Sequence, residues 1–472
     1  MFRSLLIAGV ALMAAAPALA APPAPAGLRP DQAAFRELYK ELIETNTTLS
    51  SGSCTVASEK LAVRLKAAGY TDREMEIVVP PEQPKQGALV ATLAGTDPKL
   101  KPILLLAHID VVEANRADWE RDPFTLVEEN GFFYARGATD DKAMAAAFAD
   151  NMIRYKREGF KPKRSLRLAL TCGEETPDNF NGVEWLIANR PELLDAEFAL
   201  NEGAGGQVDA NGRKVFLGIQ AGEKVYQDFT LRITNPGGHS SRPVKDNAIV
   251  RLSAGLTRIG AYDFPIALNE ATRNHYARMA DIEGGETGAA MKAMAANSSD
   301  ADAAALLARS PGRNSMMRTT CVPTQVQAGH APNALPQRAE ANVNCRILPG
   351  EKVEDVRKAL TLAINDPGIA VETVGKPSPV SPPPPLNARI MGPATTVASA
   401  MWPGVPIVPA MATGATDGRF LLATGVPTYG LSGMFSPPGD SGAHGLNERI
   451  SVQALYEGRD FLYEVVKLYA RN

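Results

Sequence analysis

The sequence predicts an α/β fold in which a smaller domain is inserted into a mostly parallel sheet. Two observations predict the sheet: short apolar runs alternate with helical segments, and residues 103–107 are apolar throughout, as in a strand buried on both faces. A third observation predicts the insertion. After about Gly222 the order of elements becomes β-α-β-β-α-β, which is that of a ferredoxin-like unit.

The first part of the α/β domain begins with two predicted helices. Asp31 is suited to cap a helix that ends near Thr45, and a second helix over 57–68 ends before Gly69. Apolar runs between turn residues then predict strands over 88–93, 103–107, 166–171 and 197–200, and an alanine-rich helix over 142–157. This alternation is typical of a sheet covered by helices.

The inserted domain is predicted to contain four strands and two helices. They are the strands 226–234, 319–328, 338–348 and 369–374, and the helices 247–259 and 353–364. Residues 264–315 are rich in Ala, Asp and Met and indicate additional helices. A stiff proline-rich linker over 375–385 follows, after which the α/β pattern returns and ends in a helix over 452–470.

The N-terminus has the pattern of a secretory signal peptide. Arg3 precedes an apolar run over 5–16, and Ala18-Leu19-Ala20 is a cleavage pattern. The apolar run is shorter than the roughly 20 residues that a membrane span needs. We therefore expect a periplasmic or secreted mature chain without a membrane span. The predicted regions are a signal peptide over 1–20, a first α/β part over 28–221, an inserted domain over 222–380 and a second α/β part over 386–472.

The composition is that of a globular protein. Of the 472 residues, 45% are hydrophobic and 21% are charged, and 49 Lys and Arg against 52 Asp and Glu leave a net charge of −3, so no nucleic-acid partner is expected. In an oxidising compartment the cysteines can pair. Cys321 and Cys345 lie on two predicted strands around one turn and are candidates for a disulfide, although the sequence does not fix the pairing. Cys172 reads as a buried packing residue.

Titratable side chains follow the predicted strands. They are His108, Asp110, Asp140, Asp141, Glu174, Glu175 and Glu202. In open α/β sheets, binding sites form at the carboxyl ends of strands. One histidine with several carboxylates suits one or two zinc ions, and a pair of adjacent glutamates suits one ligand and one general base.

Three motifs resemble those of a known family. They are Ala107-His-Ile-Asp-Val-Val112, Tyr134-Ala-Arg-Gly-Ala-Thr-Asp-Asp-Lys142 and Thr171-Cys-Gly-Glu-Glu175. Together they resemble the di-zinc family of aminoacylase, carboxypeptidase S, glutamate carboxypeptidase and succinyl-diaminopimelate desuccinylase, and the resemblance covers about residues 35–470. It implies a zinc-peptidase-like α/β catalytic domain interrupted by a ferredoxin-like lid and dimerisation domain. It also implies two Zn²⁺ per subunit, with Co²⁺ or Mn²⁺ as alternatives.

The resemblance implies a role for each residue of the cluster. The implied metal ligands are His108, Asp140 as the bridging carboxylate, Glu175, Glu202 and His444. Asp110 orients His108, and Glu174 is the general base. In the family the peptide bond between the two aspartates is often cis, which here is the bond between Asp140 and Asp141.

The resemblance extends to the inserted domain. His239, in Pro236-Gly-Gly-His-Ser-Ser-Arg-Pro243, resembles a histidine that reaches the partner's active site and stabilises an oxyanion, which implies a homodimer. Asn333 and Arg346 resemble the positions that hold the substrate carboxylate, with a structural ion pair as the alternative for Arg346. Asp417 and Arg419 lie in a loop that resembles one near the site.

The implied reaction is hydrolysis of an amide bond next to a free carboxylate, by a dipeptidase or carboxypeptidase acting on small peptides. A deacylase of N-acyl amino acids shares these motifs, so the sequence leaves that alternative open. A remoter alternative is a non-catalytic metal- or peptide-binding protein, which loss of Glu174 or of a ligand would indicate, and none is lost. A serine hydrolase is disfavoured because the sequence lacks GxSxG.

Overall fold

A computed structural model describes residues 27–176, 179–439 and 441–471. The predicted signal peptide over residues 1–20 lies outside this part of the chain. Within the described ranges, no helix is both long enough and apolar enough to cross a membrane.

The first segment carries strands β1–β9 and helices α1–α4. The strands are β1 (Met75–Val78), β2 (Ala88–Leu93), β3 (Ile103–His108), β4 (Val127–Glu129), β5 (Phe132–Tyr134), β6 (Leu166–Thr171), β7 (Phe198–Asn201), β8 (Gly206–Val208) and β9 (Lys214–Glu223). The helices are α1 (Pro30–Ile43), α2 (Cys54–Ala67), α3 (Lys142–Arg157) and α4 (Gly182–Asn189). Helix α2 begins earlier than predicted because the Ser53 side chain caps it by accepting the Val56 N–H.

The middle segment carries β10–β15 and α5–α10. The strands are β10 (Val225–Thr234), β11 (Gly238–His239), β12 (Thr320–Ala328), β13 (Ala334–Leu335), β14 (Arg338–Ile347) and β15 (Ala370–Thr373). The helices are α5 (Ala248–Gly260), α6 (Glu270–Glu283), α7 (Gly285–Ala296), α8 (Ala301–Ala308), α9 (Pro311–Met317) and α10 (Val353–Ile364).

The last segment returns to the α/β pattern, as predicted. Its strands are β16 (Ile407–Ala412), β17 (Thr428–Gly430), β18 (Phe435–Ser436) and β19 (Arg449–Ser451). Its helices are α11 (Ala388–Met401), α12 (Gly418–Ala423) and α13 (Val452–Arg471).

The described residues form a ten-stranded sheet in the order β1-β2-β6-β3-β7-β17-β9-β8-β18, with β16 beside β9. Its centre, β6-β3-β7-β17, is parallel, and β3 is buried at every position. Outside this centre the expectation of a mostly parallel sheet is confirmed only in part: β16–β9 and β18–β8 are parallel, whereas β1–β2, β2–β6, β17–β9 and β8–β9 are antiparallel. The whole sheet is therefore mixed.

Helix α3 is the central helix of the α/β core. Its side chains are buried along nearly the whole helix, against β3 on one side and α1 and α13 on the other. The many alanines that predicted this helix allow the close approach of three neighbours. This packing fixes the N-terminus of α3, where Asp140 and Asp141 lie.

The middle segment forms a separate antiparallel sheet in the order β12-β14-β10-β15. Helices α5 and α10 pack on it around a core of Val, Leu, Ile and Phe side chains. The ferredoxin-like order predicted from the sequence is confirmed. Strand β12 lies at the edge of this sheet, and its residues 322–328 are exposed.

Helices α6–α9 correspond to the extra helices predicted over 264–315. They share an apolar core that includes Val408 of β16. Helix α6 lies along β16, where His275 Nδ1 is 2.9 Å from the Pro409 carbonyl oxygen and Arg278 Nη1 donates to the Ile407 carbonyl oxygen at 2.8 Å. The insertion therefore covers an edge of the large sheet that would otherwise expose unpaired backbone groups.

Two disulfides are present. Cys321 and Cys345 are register partners on β12 and β14, and they form the disulfide that the sequence allowed. Cys54 and Cys172 form the second. The interpretation of Cys172 as a packing residue is therefore wrong. Nothing local indicated this bond, because its cysteines are 118 residues apart and meet only when α2 packs on β2, the sheet neighbour of β6.

Candidate metal centre and active site

The ends of three parallel strands bring the predicted cluster together. His108 is the last residue of β3, Glu174 and Glu175 follow the end of β6, and Glu202 follows the end of β7. Because β6, β3 and β7 are parallel neighbours, their carboxyl ends lie at one edge of the sheet.

One group of three candidate ligands consists of His108, Asp140 and Glu202. His108 Nε2 lies 3.1 Å from Asp140 Oδ1 and 3.7 Å from Glu202 Oε1. The other ring nitrogen, Nδ1, lies 3.1 Å from the carbonyl oxygen of Asp110 and 3.5 Å from its Oδ1. Asp110 thus orients the His108 ring through the nitrogen that faces away from Asp140 and Glu202, as is usual for a metal-binding histidine.

A second group of three consists of Asp140, Glu175 and His444. His444 Nε2 lies 3.1 Å from Asp140 Oδ2 and 2.9 Å from Glu175 Oε2. Asp140 therefore belongs to both groups and presents one carboxylate oxygen to each histidine. His and carboxylate donors in two groups that share a carboxylate fit a pair of divalent cations.

The electrostatics of the cluster are those of a site built to hold positive charge. Burial raises the pKa of Glu202 well above its usual value. Burial opposes protonation of His108, but Glu202, Asp110 and Asp140 raise its pKa well above 6.5. Hydrogen bonds to Asp140 and Glu175 raise the pKa of His444 to about 10.

The turn that carries Asp140 is held by Glu448, to which the sequence analysis gave no role. Glu448 is fully buried and accepts hydrogen bonds from the backbone N–H groups of Gly137, Thr139 and Asp140, at 2.9, 2.8 and 3.0 Å. Its Oε2 also accepts from Arg136 Nη1 at 2.8 Å, and Arg136 Nη2 donates to the Gly445 carbonyl oxygen beside His444. The peptide bond between Asp140 and Asp141 is cis, as the resemblance implied.

Asp110 lies between His108 and the segment that carries Glu174. Its Oδ1 and Oδ2 accept the backbone N–H groups of Glu174 and Glu175, at 3.4 and 3.0 Å. Burial, together with the negative charges of Asp417, Glu175 and Asp110, raises the pKa of Glu174 to about 8. Glu174 belongs to neither group of candidate ligands, so its carboxylate remains available for proton transfer.

Asp417 lies behind this segment. It is buried, and its two carboxylate oxygens accept from Asn181 Nδ2 at 2.6 Å and from Thr171 Oγ1 at 3.3 Å. Asn181 also donates to the Gly173 carbonyl oxygen at 3.3 Å. The loop that resembled one near the site therefore does reach the segment 173–175, called the base segment below, through the carboxylate of Asp417. Arg419 instead lies near Arg346 of the inserted domain. Burial and the positive charge of Arg419 both lower the pKa of Arg346.

The structure does not bring the residues of the inserted domain into this cluster. His239 is exposed, and its Nδ1 accepts from the Ser241 backbone N–H at 3.2 Å and lies 2.8 Å from Ser241 Oγ. Asn333 lies beside it, because its carbonyl oxygen accepts the Ser240 N–H at 3.1 Å. Arg346 lies on β14 with its guanidinium 4.7 Å from the Tyr226 ring centre.

A cavity of about 300 Å³ adjoins the candidate metal centre. Asp140, Asp141 and Glu202 form one part of its wall. The larger apolar side chains in the wall are Phe132, Met144, Met434, Phe435 and Ile450, and its further polar side chains are Thr139, Ser432, Ser436, Ser441, Arg449 and Ser451. The space beside the cluster therefore offers both apolar contacts and hydrogen-bonding groups to a bound molecule.

Comparisons with known proteins agree with this arrangement. The family model described as peptidase family M20/M25/M40 matches residues 104–468. A human protein named N-fatty-acyl-amino acid synthase/hydrolase PM20D1 is 30% identical over 387 residues, which cover 80% of this chain and 76% of that protein. Mouse aminoacylase-1 is 26% identical over 435 residues, which cover 90% and 92%.

Among solved structures, an M20 family metallo-carboxypeptidase, Sso-CP2 from Sulfolobus solfataricus, has the same fold. It aligns with a TM-score of 0.66 at 20% identity and covers 92% of this chain and 99% of its own. Because the family match spans most of the chain, the protein belongs to peptidase family M20/M25/M40, a family of metal-dependent hydrolases.

Proposed function

We propose that the protein is a secreted or periplasmic zinc-dependent hydrolase that cleaves amide bonds next to a free carboxylate, as a dipeptidase or carboxypeptidase. The observation that carries this proposal is the position of Asp140 between two histidines, with the unliganded Glu174 beside the pair of ligand groups. Residues 28–221 and 386–472 would form the catalytic domain, and residues 222–380 the lid.

The five candidate ligands suit zinc, and cobalt or manganese would accept the same donors. His108, Asp140 and Glu202 would hold one cation, and Asp140, Glu175 and His444 the other. When bound, such a pair of ions polarises a carbonyl group and lowers the pKa of water.

Glu174 is the proposed general base. Its carboxylate belongs to neither group of candidate ligands, so it can accept a proton from water beside the cations. Asp110 holds the backbone of Glu174 and Glu175 while its carboxylate also faces His108. Glu174 would take the proton of the attacking water and deliver it to the leaving amine.

The inserted domain would complete the site in a homodimer. His239 is exposed and contacts no residue of the candidate metal centre among the described residues, which fits a role in the partner's site. The exposed edge strand β12 and the exposed Val322, Val326 and Val250 offer a surface for a second copy. Arg346 and Asn333 are the proposed contacts for the substrate carboxylate.

A second candidate function, deacylation of N-acyl amino acids, is favoured by the apolar part of the cavity wall, which Phe132, Met144, Met434, Phe435 and Ile450 form beside Asp140 and Glu202. A long acyl chain would occupy such a space better than a small side chain would. The names of two similar proteins, an N-fatty-acyl-amino acid synthase/hydrolase and an aminoacylase, point to the same chemistry.

Secretion is supported by the predicted signal peptide and by the two disulfides. Structural disulfides persist in oxidising compartments and are rare in the cytosol.

Product analysis by mass spectrometry tests the proposal. Zinc-loaded mature protein would be incubated with dipeptides, short peptides and N-acyl amino acids, beside a chelated control. Chelator-sensitive cleavage of peptides is the expected result, and cleavage confined to N-acyl amino acids would establish the second candidate. Absence of cleavage in protein that holds two metals would contradict both and favour a non-catalytic metal- or peptide-binding protein.

A further inference from the structure

The disulfide between Cys54 and Cys172 lies directly against the candidate active site. Cys54 is the first residue of α2, and Cys172 lies two residues before Glu174. Both cysteines are 1% exposed. The two sulfurs and a carboxylate oxygen of Asp110 all lie within 4.8 Å of one another. The bond is therefore a close neighbour of Asp110, the residue that links His108 to the base segment.

Asp110 is the point at which the disulfide can influence the chemistry. Its carboxylate accepts two backbone N–H groups, those of Glu174 and Glu175, and faces Nδ1 of His108 at 3.5 Å. All three interactions depend on where this buried carboxylate lies. Both sulfur atoms of the disulfide lie within 4.8 Å of one of its oxygens.

Further hydrogen bonds hold the base segment to the start of α4. The Cys172 carbonyl oxygen accepts the Gly182 N–H at 2.8 Å, and Asn181 Nδ2 donates to the Gly173 carbonyl oxygen. Gly173 has φ +89°, and a Cβ there would lie 2.3 Å from the Phe180 carbonyl oxygen, so this residue must be glycine. Residues at the start of α4 thus hold the backbone of Cys172 and Gly173 by hydrogen bonds, and the disulfide joins the same segment covalently to α2.

We propose that the disulfide between Cys54 and Cys172 is a positioning element for catalysis, which fixes Glu174, Glu175 and Asp110 in their working arrangement. This inference rests on the proposed function. A disulfide sulfur carries no hydrogen, so it leaves the Asp110 carboxylate to the N–H groups of Glu174 and Glu175 and to His108. Two thiols would instead place S–H donors within 4.8 Å of that carboxylate, and for Cys172 2.6 Å from Gln86 Oε1, and would release the segment from α2. The enzyme would therefore be fully active only when this bond is formed.

The chain offers a matched control in its second disulfide. Cys321 and Cys345 join neighbouring strands of the inserted domain and contact no residue of the candidate metal centre among those described. Removal of this bond also takes a covalent link from the chain, but it leaves the base segment unchanged.

The test compares the double variants Cys54→Ser/Cys172→Ser and Cys321→Ser/Cys345→Ser with the wild type, below the Tm of each. Supporting residues of metal sites typically contribute 10- to 100-fold to activity or metal affinity. For the first variant we therefore expect kcat to fall by about 10- to 100-fold with little change in KM, and Zn²⁺ affinity to fall by a similar factor. For the second, whose bond lies in the inserted domain beside Arg346, we expect wild-type Zn²⁺ affinity.

Two results would overturn the inference: wild-type kcat and Zn²⁺ affinity in the first variant, or equal losses in both variants. The two measurements, kcat and Zn²⁺ affinity, also test the disulfide inference separately from the proposed function. A wild type that cleaves no amide substrate would contradict the function, while Zn²⁺ affinity, measured by competition with a chelator, would still test the positioning.

A second measurement applies if the first variant does not fold. The native enzyme would be reduced with a phosphine, and each opened bond would be identified by alkylation and mass spectrometry. Cys321 is partly exposed, whereas Cys54 and Cys172 are buried, so we expect the inserted-domain bond to open first without loss of Zn²⁺ affinity. Activity should then decline with the fraction of Cys54–Cys172 opened, and activity retained after that bond opens would overturn the inference.

Discussion

The edge of the large sheet and the inserted domain differ in whether their candidate functional side chains contact one another within one chain. At the sheet edge, His108 and Glu175 are almost fully buried and lie within hydrogen-bond distance of Asp140 or His444. In the inserted domain, His239 and Asn333 are exposed, and within the described part of the chain their hydrogen bonds stay in the neighbouring turns.

This difference teaches which functions the fold alone can fix. Parallel strands of a buried sheet place side chains at fixed positions, so a metal centre built there is ready before substrate arrives. Exposed loops on a separate domain acquire their role only through domain closure or a partner subunit. Variants in the two regions should therefore fail in different ways.

The largest effect is expected at the sheet edge, from Glu174→Ala. Because Glu174 belongs to neither group of candidate ligands, the variant should keep its metal and lose proton transfer, which contributes about 10²- to 10⁴-fold to kcat. Steady-state kinetics and metal analysis check this. Glu184→Ala, at an exposed position of α4, is the control, and full activity in Glu174→Ala would eliminate the assigned role.

The next effect tests the inserted domain through His239→Ala. Loss of an oxyanion donor typically lowers kcat by about 10²- to 10³-fold. If His239 acts in the partner's site, co-expression of His239→Ala with Glu174→Ala chains would restore roughly a quarter of wild-type activity, because half of the dimers are mixed and each has one complete site. Mixed dimers without activity would place His239 in its own chain's site or outside catalysis.

A smaller effect, on Zn²⁺ affinity, is expected from Glu448, which holds the turn that carries Asp140. Glu448→Gln would turn amide hydrogens towards the N–H groups of Gly137, Thr139 and Asp140 and so disturb the Asp140 turn. We expect Zn²⁺ affinity to fall by about 10- to 100-fold. Glu464→Gln, at an exposed position of α13, is the control. Unchanged affinity would show that Arg136 and the backbone suffice to hold the turn.

The smallest effect concerns the junction between the two regions. Glu223 ends β9, just before the chain enters the inserted domain, and burial raises its pKa to about 7 although Thr416 Oγ1 donates to it at 2.7 Å. Between pH 4.5 and 7 the folded chain keeps a proton that the unfolded chain releases, so this group lowers stability as pH rises.

Glu223→Gln should therefore melt at a higher temperature than the wild type at pH 8 and at nearly the same temperature at pH 4.5. Each kcal/mol corresponds to roughly 2–4 °C in larger domains. Thermal unfolding at the two pH values measures the difference. Equal melting temperatures of variant and wild type at pH 8 would contradict the role of burial here.

The sequence predicted the strand-end residues well because their placement follows from local rules. A buried strand that ends in His108, and a strand followed by Glu174 and Glu175, lead to one sheet edge whatever the loops do. His444 needed the family resemblance, because it lies in an exposed loop at φ +61° without any periodic pattern. Glu448 and the Cys54–Cys172 bond were missed because they depend on contacts between residues 312 and 118 positions apart.

The number of metal ions bound per chain tests the central claim most directly. Inductively coupled plasma mass spectrometry of zinc-loaded wild type should give two ions per chain, and His444→Ala, which removes a ligand of one group only, should retain one. A single ion in the wild type, or an unchanged ratio in His444→Ala, would contradict a centre in which Asp140 serves two cations.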